Sequence, residues 1–175
     1  MSMLRRMFFS LKMASLMAIS GYSYAELNAV TGYWATPESI IEIEVVGESL
    51  SMKVVALLEP YYTDKDEHGP LGSKKRDADN PDPTLRDRFI IGLELLGRYK
   101  FHKGRWAGEI YDPETAQVYL SFIEVGRRGK LKIRGYIGAP ILGRTQWLAP
   151  LTECNQEIIL MLQADSSIPN PCSTE

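Results

Sequence analysis

Residues 104–147, GRWAGEIYDPETAQVYLSFIEVGRRGKLKIRGYIGAPILGRTQW, constrain the fold more than any other part of the chain. They read as four short runs rich in aromatic and aliphatic residues, at 106–111, 118–125, 131–137 and 141–148, separated by turns. Asp112-Pro113-Glu114-Thr115 is one turn, its proline fixing φ at the corner, and Gly126-Arg127-Arg128-Gly129 is another. No helical run comes between them, so the pattern predicts successive antiparallel strands joined by hairpins.

Upstream, Ile41, Ile43 and Val45 alternate with Glu42 and Glu44, the period-two pattern of a half-buried strand. Gly47-Glu48 turns the chain into 50–58, completing a hairpin. A first strand around 32–36 and another at 89–96 bring the number to about eight. The fold expected is all-β: a single up-and-down antiparallel β-barrel, because closing the meander removes edges that invite aggregation. NQEIILMLQ, at 155–163, predicts a short C-terminal helix capped by Asn155 and packed outside the barrel. Residues 59–88, rich in Asp, Lys, Gly and Pro, lack any apolar period and belong on the surface. They read as a plain connection or, since long loops are often functional, as a lid over a cavity mouth.

The chain opens with Arg5, Arg6 and Lys12 and no acidic residue, then the apolar run MASLMAISGY and Ser23-Tyr24-Ala25. A basic segment, a short apolar segment and a small-x-small site make residues 1–25 a secretory signal peptide. The run is shorter than the roughly 20 apolar residues that span a bilayer, so no membrane span is expected. Arg5-Arg6-Met7-Phe8-Phe9 also resembles a twin-arginine signal but departs from it at Leu4 and Ser10, which favours ordinary unfolded export. Residues 26–150 then form the barrel domain and 151–175 a helix and tail, in the periplasm or outside the cell.

Removing the leader takes 3 of the 20 basic residues and none of the 22 acidic ones, leaving a net charge of −5. Such a domain, without a Lys/Arg stripe, is a poor nucleic-acid binder. Arg127, Arg128, Lys130 and Lys132 cluster beside a turn, where solvated charge is the plain reading. Cys154 and Cys172 are most simply a disulfide in an oxidising compartment, contributing about 3 kcal/mol by chain entropy. Free thiols or a metal site are the alternatives. His68 and His102 lie far from the cysteines, without the paired spacing of zinc ligands, so neither a metal nor a cofactor is expected.

Gly32-x-Trp34 after a signal peptide, followed by an eight-strand meander, resembles the lipocalin opening motif. That resemblance implies a structural role for Gly32 and Trp34, the indole plugging the closed end beneath an arginine from a late strand. Arg134 or Arg144 could supply it, as a cation–π pair of about 1 kcal/mol. A longer pattern is more specific: Asn80-Pro81-Asp82-Pro83, Leu85-Arg86, Gly92, Gly108, Ile110-Tyr111-Asp112-Pro113, Tyr119, Leu131-Lys132-Ile133-Arg134-Gly135-Tyr136-Ile137-Gly138 and Leu142-Gly143-Arg144-Thr145. In that order these residues resemble domain-of-unknown-function family 2147, small exported bacterial proteins for which a lipocalin-like barrel is expected. The resemblance spans 32–147. It departs at Asp87, at Thr115-Ala116-Gln117 and at Leu148-Ala149-Pro150, and the tail with both cysteines lies beyond it.

An eight-stranded barrel is just wide enough to be filled by side chains or to hold one small ligand. The family analogy implies a small apolar or lipid-like ligand, entering at the end guarded by residues 59–88. Its apolar walls would be Ile41, Ile43, Val45, Leu93, Leu95, Leu131 and Ile133, with Arg134 and Tyr136 orienting a polar head, although alternation sets those two opposite Leu131 and Ile133. The alternative is an envelope protein-interaction or structural module with a filled core. An enzyme would need convergent groups, and Asp79, Asp82 and Asp112 near Arg86, Arg134 and Tyr111 are the candidates. Asp and Asn beside Pro are turn formers, however, and no Gly-x-Ser-x-Gly motif, paired histidines or phosphate loop is present. Catalysis is therefore not expected.

Overall fold

A computed structural model describes residues 24–152, 154–170 and 172. In chain order they form α1 (Tyr24–Asn28), β1 (Gly32–Ala35), β2 (Ser39–Val46), β3 (Ser49–Leu57), β4 (Leu96–His102), β5 (Arg105–Asp112), β6 (Gln117–Val125), β7 (Leu131–Tyr136), β8 (Arg144–Pro150) and α2 (Gln156–Ala164). All neighbouring strands are antiparallel, in the order β3-β2-β1-β8-β7-β6-β5-β4. β1 meets β8 through Trp34 opposite Pro150, so the meander folds back on itself as expected. The seam between β3 and β4 is stitched by residues 92–95 rather than by a full ladder: Leu95 N donates to Met52 O at 2.8 Å and Gly92 N to Val54 O at 2.7 Å. Glu94 adds its side chain, accepting from the Met52 amide at 2.8 Å. The result is a nearly closed barrel.

Two expected strands move. Residues 89–96 do not form one, because Gly92 turns at φ +92° and the apolar side chains there serve the seam and the long loop. The strand lies instead at Leu96–His102, with a register shift between Gly97 and Lys100 around Arg98 at φ 55°. β8 begins at Arg144 rather than 141, since Pro140 opens a 3-10 turn, Pro140–Leu142, and has no amide proton for a ladder.

Alternation divides the strands into an inner and an outer face. Trp34, Ile43, Met52, Tyr99, Trp106, Ile123, Leu131 and Leu148 belong to one buried cluster inside the barrel. Each fully buried aliphatic side chain there stabilises the fold by about 1.5–3 kcal/mol. A bulge at Ile40/Ile41 turns Ile40 outward while Ile41 stays inside. Ile40, Val55 and Ala56 are then covered by Ile158, Met161 and Leu162 of α2, a second cluster on the outer wall. Asn155 caps that helix, its side chain accepting from the Ile158 amide at 2.9 Å, and Cys154 is bonded to Cys172. The outer helix, its cap and the disulfide are all as expected from the sequence.

Candidate functional site

The hairpin topology gives the barrel two unlike ends. At one end, with α1 and the β2–β3, β4–β5 and β6–β7 turns, two indoles hold the plug: Trp34 Nε1 donates to Val30 O at 2.9 Å and Trp106 Nε1 to Leu27 O at 3.1 Å. Phe101 meets the edge of Trp106, with centroids 5.3 Å apart. The opposite end, the mouth, carries the β1–β2 connection, residues 58–95, the β5–β6 turn and the β7–β8 connection.

Along the inner face of β8 the surroundings change from dry to wet. Leu131 pairs with Leu148, Ile133 with Gln146 and Gly135 with Arg144. Leu148 is buried, yet Gln146 and Arg144, on the same face towards the mouth, are exposed. Water therefore reaches the inner wall at this end. The register sets Gly108 opposite Ser121, Ser121 opposite Gly135 and Gly135 opposite Arg144, one continuous row across four strands. Tyr99 joins it from β4: its ring fills the place of a side chain at Gly108, where a Cβ would come within 2.5 Å of it. Its hydroxyl is hydrogen-bonded to Ser121 Oγ. Burial, foremost, pushes the Tyr99 hydroxyl well above the usual tyrosine range.

The long loop is tied down beside this mouth by one buried carboxylate. Asp77 is 1% exposed and accepts from Tyr111 Oη at 2.6 Å, Asn80 Nδ2 at 2.8 Å and Arg88 Nη2 at 2.7 Å. Arg86 Nε donates to Asn80 O at 2.7 Å, and Tyr61 bridges Lys74 while Arg76 bridges Phe89. Burial and then the Asp77 carboxylate push the Tyr111 hydroxyl up to about 12. The surface segment is thus an ordered cap beside the seam. Asn80, Arg86 and Tyr111 from the family pattern build it, while Asp77 and Arg88 are new. Nothing in the hydropathy marks those two, since polar networks have no period.

The carboxylates considered for catalysis go separate ways. Asp79 meets His68 at 3.0 Å on the surface, and Asp82 caps the turn Pro83–Leu85. Asp112 accepts from the Glu114 amide and the Thr115 hydroxyl, each at 3.0 Å. The hydrogen bond from the Thr84 amide, foremost, lowers the Asp82 pKa.

Of the sequence-chosen wall residues, Ile41, Ile43, Leu131 and Ile133 lie in the inner cluster, and Val45 and Leu95 pack against it half-buried. Leu93 is buried at the seam. Arg134 and Tyr136 lie on the outer face by register, opposite Phe122 and Leu120. The arginine stack on Trp34 is corrected: the partner of Trp34 is Pro150, six residues along β8 from Arg144, a run of about 20 Å at strand rise. Arg134 instead holds the β7–β8 connection, donating to Pro140 O at 2.8 Å, Thr145 Oγ1 at 2.7 Å and Ile141 O at 3.2 Å. That connection presents Ile137, Ile141 and Leu142 at the rim, 65%, 84% and 79% exposed. A recess of about 140 Å³ lies at the plugged end, between α1, the β4–β5 turn and β6. Ser121 has a signal in the sequence, as the small polar residue between Tyr119 and Ile123 on the inner face of VYLSFIEV. Tyr99 was hidden by the misplaced β4.

The geometry has a counterpart among solved structures. A protein from the human pathogen Helicobacter pylori, described as belonging to the lipocalin family, aligns with a TM-score of 0.52 and 19% identity, over 69% of this chain and 81% of that one. A comparison with curated proteins finds no match. The family model of an uncharacterized protein conserved in bacteria, DUF2147, matches residues 32–149, from the first strand of the barrel to the end of the last. The chain belongs to that family, and its fold is lipocalin-like.

Proposed function

We propose that the protein is a non-catalytic binding protein that takes one small apolar or amphipathic molecule at the open end of its barrel. One observation carries the reading: Arg144 and Gln146 occupy inner-face positions and are exposed, while Leu148 on the same face is buried. The likeness to a lipocalin supports it only as fold analogy. The packed interior limits the ligand's size, because ligand pockets commonly measure about 300–1,000 Å³. A short molecule, or one whose tail stays at the rim against Ile141 and Leu142, fits better than a fully enclosed lipid.

The compartment belongs to the same proposal. The Cys154–Cys172 bond fits an oxidising environment, the periplasm or the cell exterior. Among the described residues no helix is long and apolar enough to cross a membrane. Most of the proposed leader, residues 1–23, lies outside the described residues. Cleavage after Ala25 would fall within α1 and leave Leu27 and Val30 to hold the indoles. N-terminal sequencing of the envelope fraction should begin at Glu26, and an intact Met1 would refute export with cleavage.

Displacement of a fluorescent fatty acid tests the binding. Saturable uptake is expected, weakened by Gln146→Trp at the mouth. No uptake of fatty acids, isoprenoids or aromatic probes would sink the reading. The rim favours one alternative, an envelope interaction module docking through Ile137, Ile141 and Leu142. In that case Ile141→Asp would abolish a crosslinked partner, and no small molecule would bind.

A further inference from the structure

Tyr99 and Ser121 lie inside the barrel, 0% and 1% exposed. Two hydroxyls carry two protons, and the one bond between them uses one. Whichever group donates, the other's proton has no acceptor among the described residues, and an unmet buried donor costs free energy. Next along the row is Gly135. A Cβ there would meet nothing nearer than Tyr119 Cβ at 3.7 Å, so its inner side has room for at least a methyl-sized group. Beyond it stands Arg144, exposed and without an ion pair among the described residues. Strands lie about 4.8 Å apart, so Ser121 and Arg144 flank the Gly135 position at about that spacing on either side. The row holds hydroxyl and guanidinium donors and no carboxylate.

We propose that this row is the polar seat of the binding site and recognises a carboxylate, so that the ligand is a monocarboxylic acid with an apolar tail. The carboxylate lies over Gly135, one oxygen accepting the spare proton of the Tyr99–Ser121 pair and the other facing Arg144. The tail runs towards the rim at Ile141 and Leu142. The proposal rests on the binding reading above and narrows its ligand class.

The test is calorimetric titration of the mature, disulfide-bonded protein with sodium octanoate and, separately, 1-octanol. A charge-assisted pair predicts that the acid binds about tenfold tighter or more. Arg144→Gln should erase that preference for the acid over the alcohol. Gly135→Ala adds a methyl in ordinary contact with Tyr119 and should keep the circular dichroism spectrum and melting temperature while losing octanoate. Equal affinity for acid and alcohol, a preference that survives Arg144→Gln, or a folded Gly135→Ala that binds octanoate as before would each overturn the carboxylate seat and leave the binding reading standing. Binding of neither compound overturns both. If Gly135→Ala fails to fold, Arg144→Gln decides the matter alone.

Discussion

Replacing Asp77 with Ala should be the most informative perturbation of the loop. Asp77 accepts three side-chain hydrogen bonds, at 2.6, 2.7 and 2.8 Å, with its own side chain 0% exposed. A hydrogen bond to a charged group is worth about 1.5–3 kcal/mol, but the three are not additive. The Arg88 side chain is 40% exposed and recovers much of its solvation, so its share is small. Asn80 and Tyr111 keep their mutual bond at 3.1 Å. The net loss expected is about 3 kcal/mol, or about 6–12 °C in melting temperature for a domain of this size. Because 92–95 close the seam with β3, releasing the loop also loosens the barrel there. Urea titration should give the order Asp77→Ala, then Tyr111→Phe, then Arg88→Met in decreasing cost. Trypsin should cut Asp77→Ala first among Lys74, Lys75 and Arg76. A variant within 1 kcal/mol of wild type, with unchanged cleavage, would show that the network does not hold the loop.

Four further outcomes are open to measurement. Trp34→Ala should cost about 3–5 kcal/mol in denaturant titration, as deletion of a large buried aromatic does; no change would place the indole outside the plug. Gly108→Ala should destabilise by about 1–3 kcal/mol, because its Cβ would lie 2.5 Å from the Tyr99 ring and 2.8 Å from its Cα; a neutral result would refute the packing of Tyr99 over β5. Denatured, unreduced protein should show no free thiol, and two titratable thiols would exclude the Cys154–Cys172 bond. At alkaline pH, Tyr111 is raised from 10.0 to about 12 in the folded state, so its contribution is full below pH 10 and lost as pH rises through 12; Tyr111→Phe should flatten that limb, and an unchanged limb would contradict the burial of its hydroxyl beside Asp77.

The strands were legible where one face is dry and the other wet. Glu42 and Glu44 mark the outer face of β2, and Asp112-Pro113 and Gly126 mark turns that the structure keeps. β4 was misread because LGRYKFH sets Arg98, Lys100 and His102 among its apolar residues, while the left-handed Arg98 breaks its period. The apolar run 89–96 was real, but it serves the seam. Consecutive apolar residues at Ile40-Ile41 and Val54-Val55-Ala56 did carry a signal: both faces of β2 and β3 are covered there, one by the core and one by α2. The row from Tyr99 to Arg144 could not be read without register. Its members lie on five strands, and a one-residue slip would turn each away from the interior.

That row bears on whether the barrel is solid or receptive. In a solid core every inner position would favour an aliphatic side chain, because a buried guanidinium without a partner costs far more than a hydrogen bond returns. The plugged half obeys this rule, with Leu131, Ile123, Trp106 and Leu148 inside. The mouth half breaks it at Ser121, Gly135, Arg144 and Gln146, and pays twice, in lost apolar burial at Gly135 and in an unmet hydroxyl proton. At the buried Ser121, apolar burial alone would favour an aliphatic side chain, whereas Arg144 and Gln146 stand exposed on the same inner face. Departures from the local rule concentrated on one inner surface, beside a loop anchored by its own buried carboxylate, are what a site selected for a polar ligand group would leave. Ser121→Val should therefore abolish octanoate binding while the protein still folds. A clear loss of stability with binding intact would instead make the hydroxyl pair a structural feature of the core.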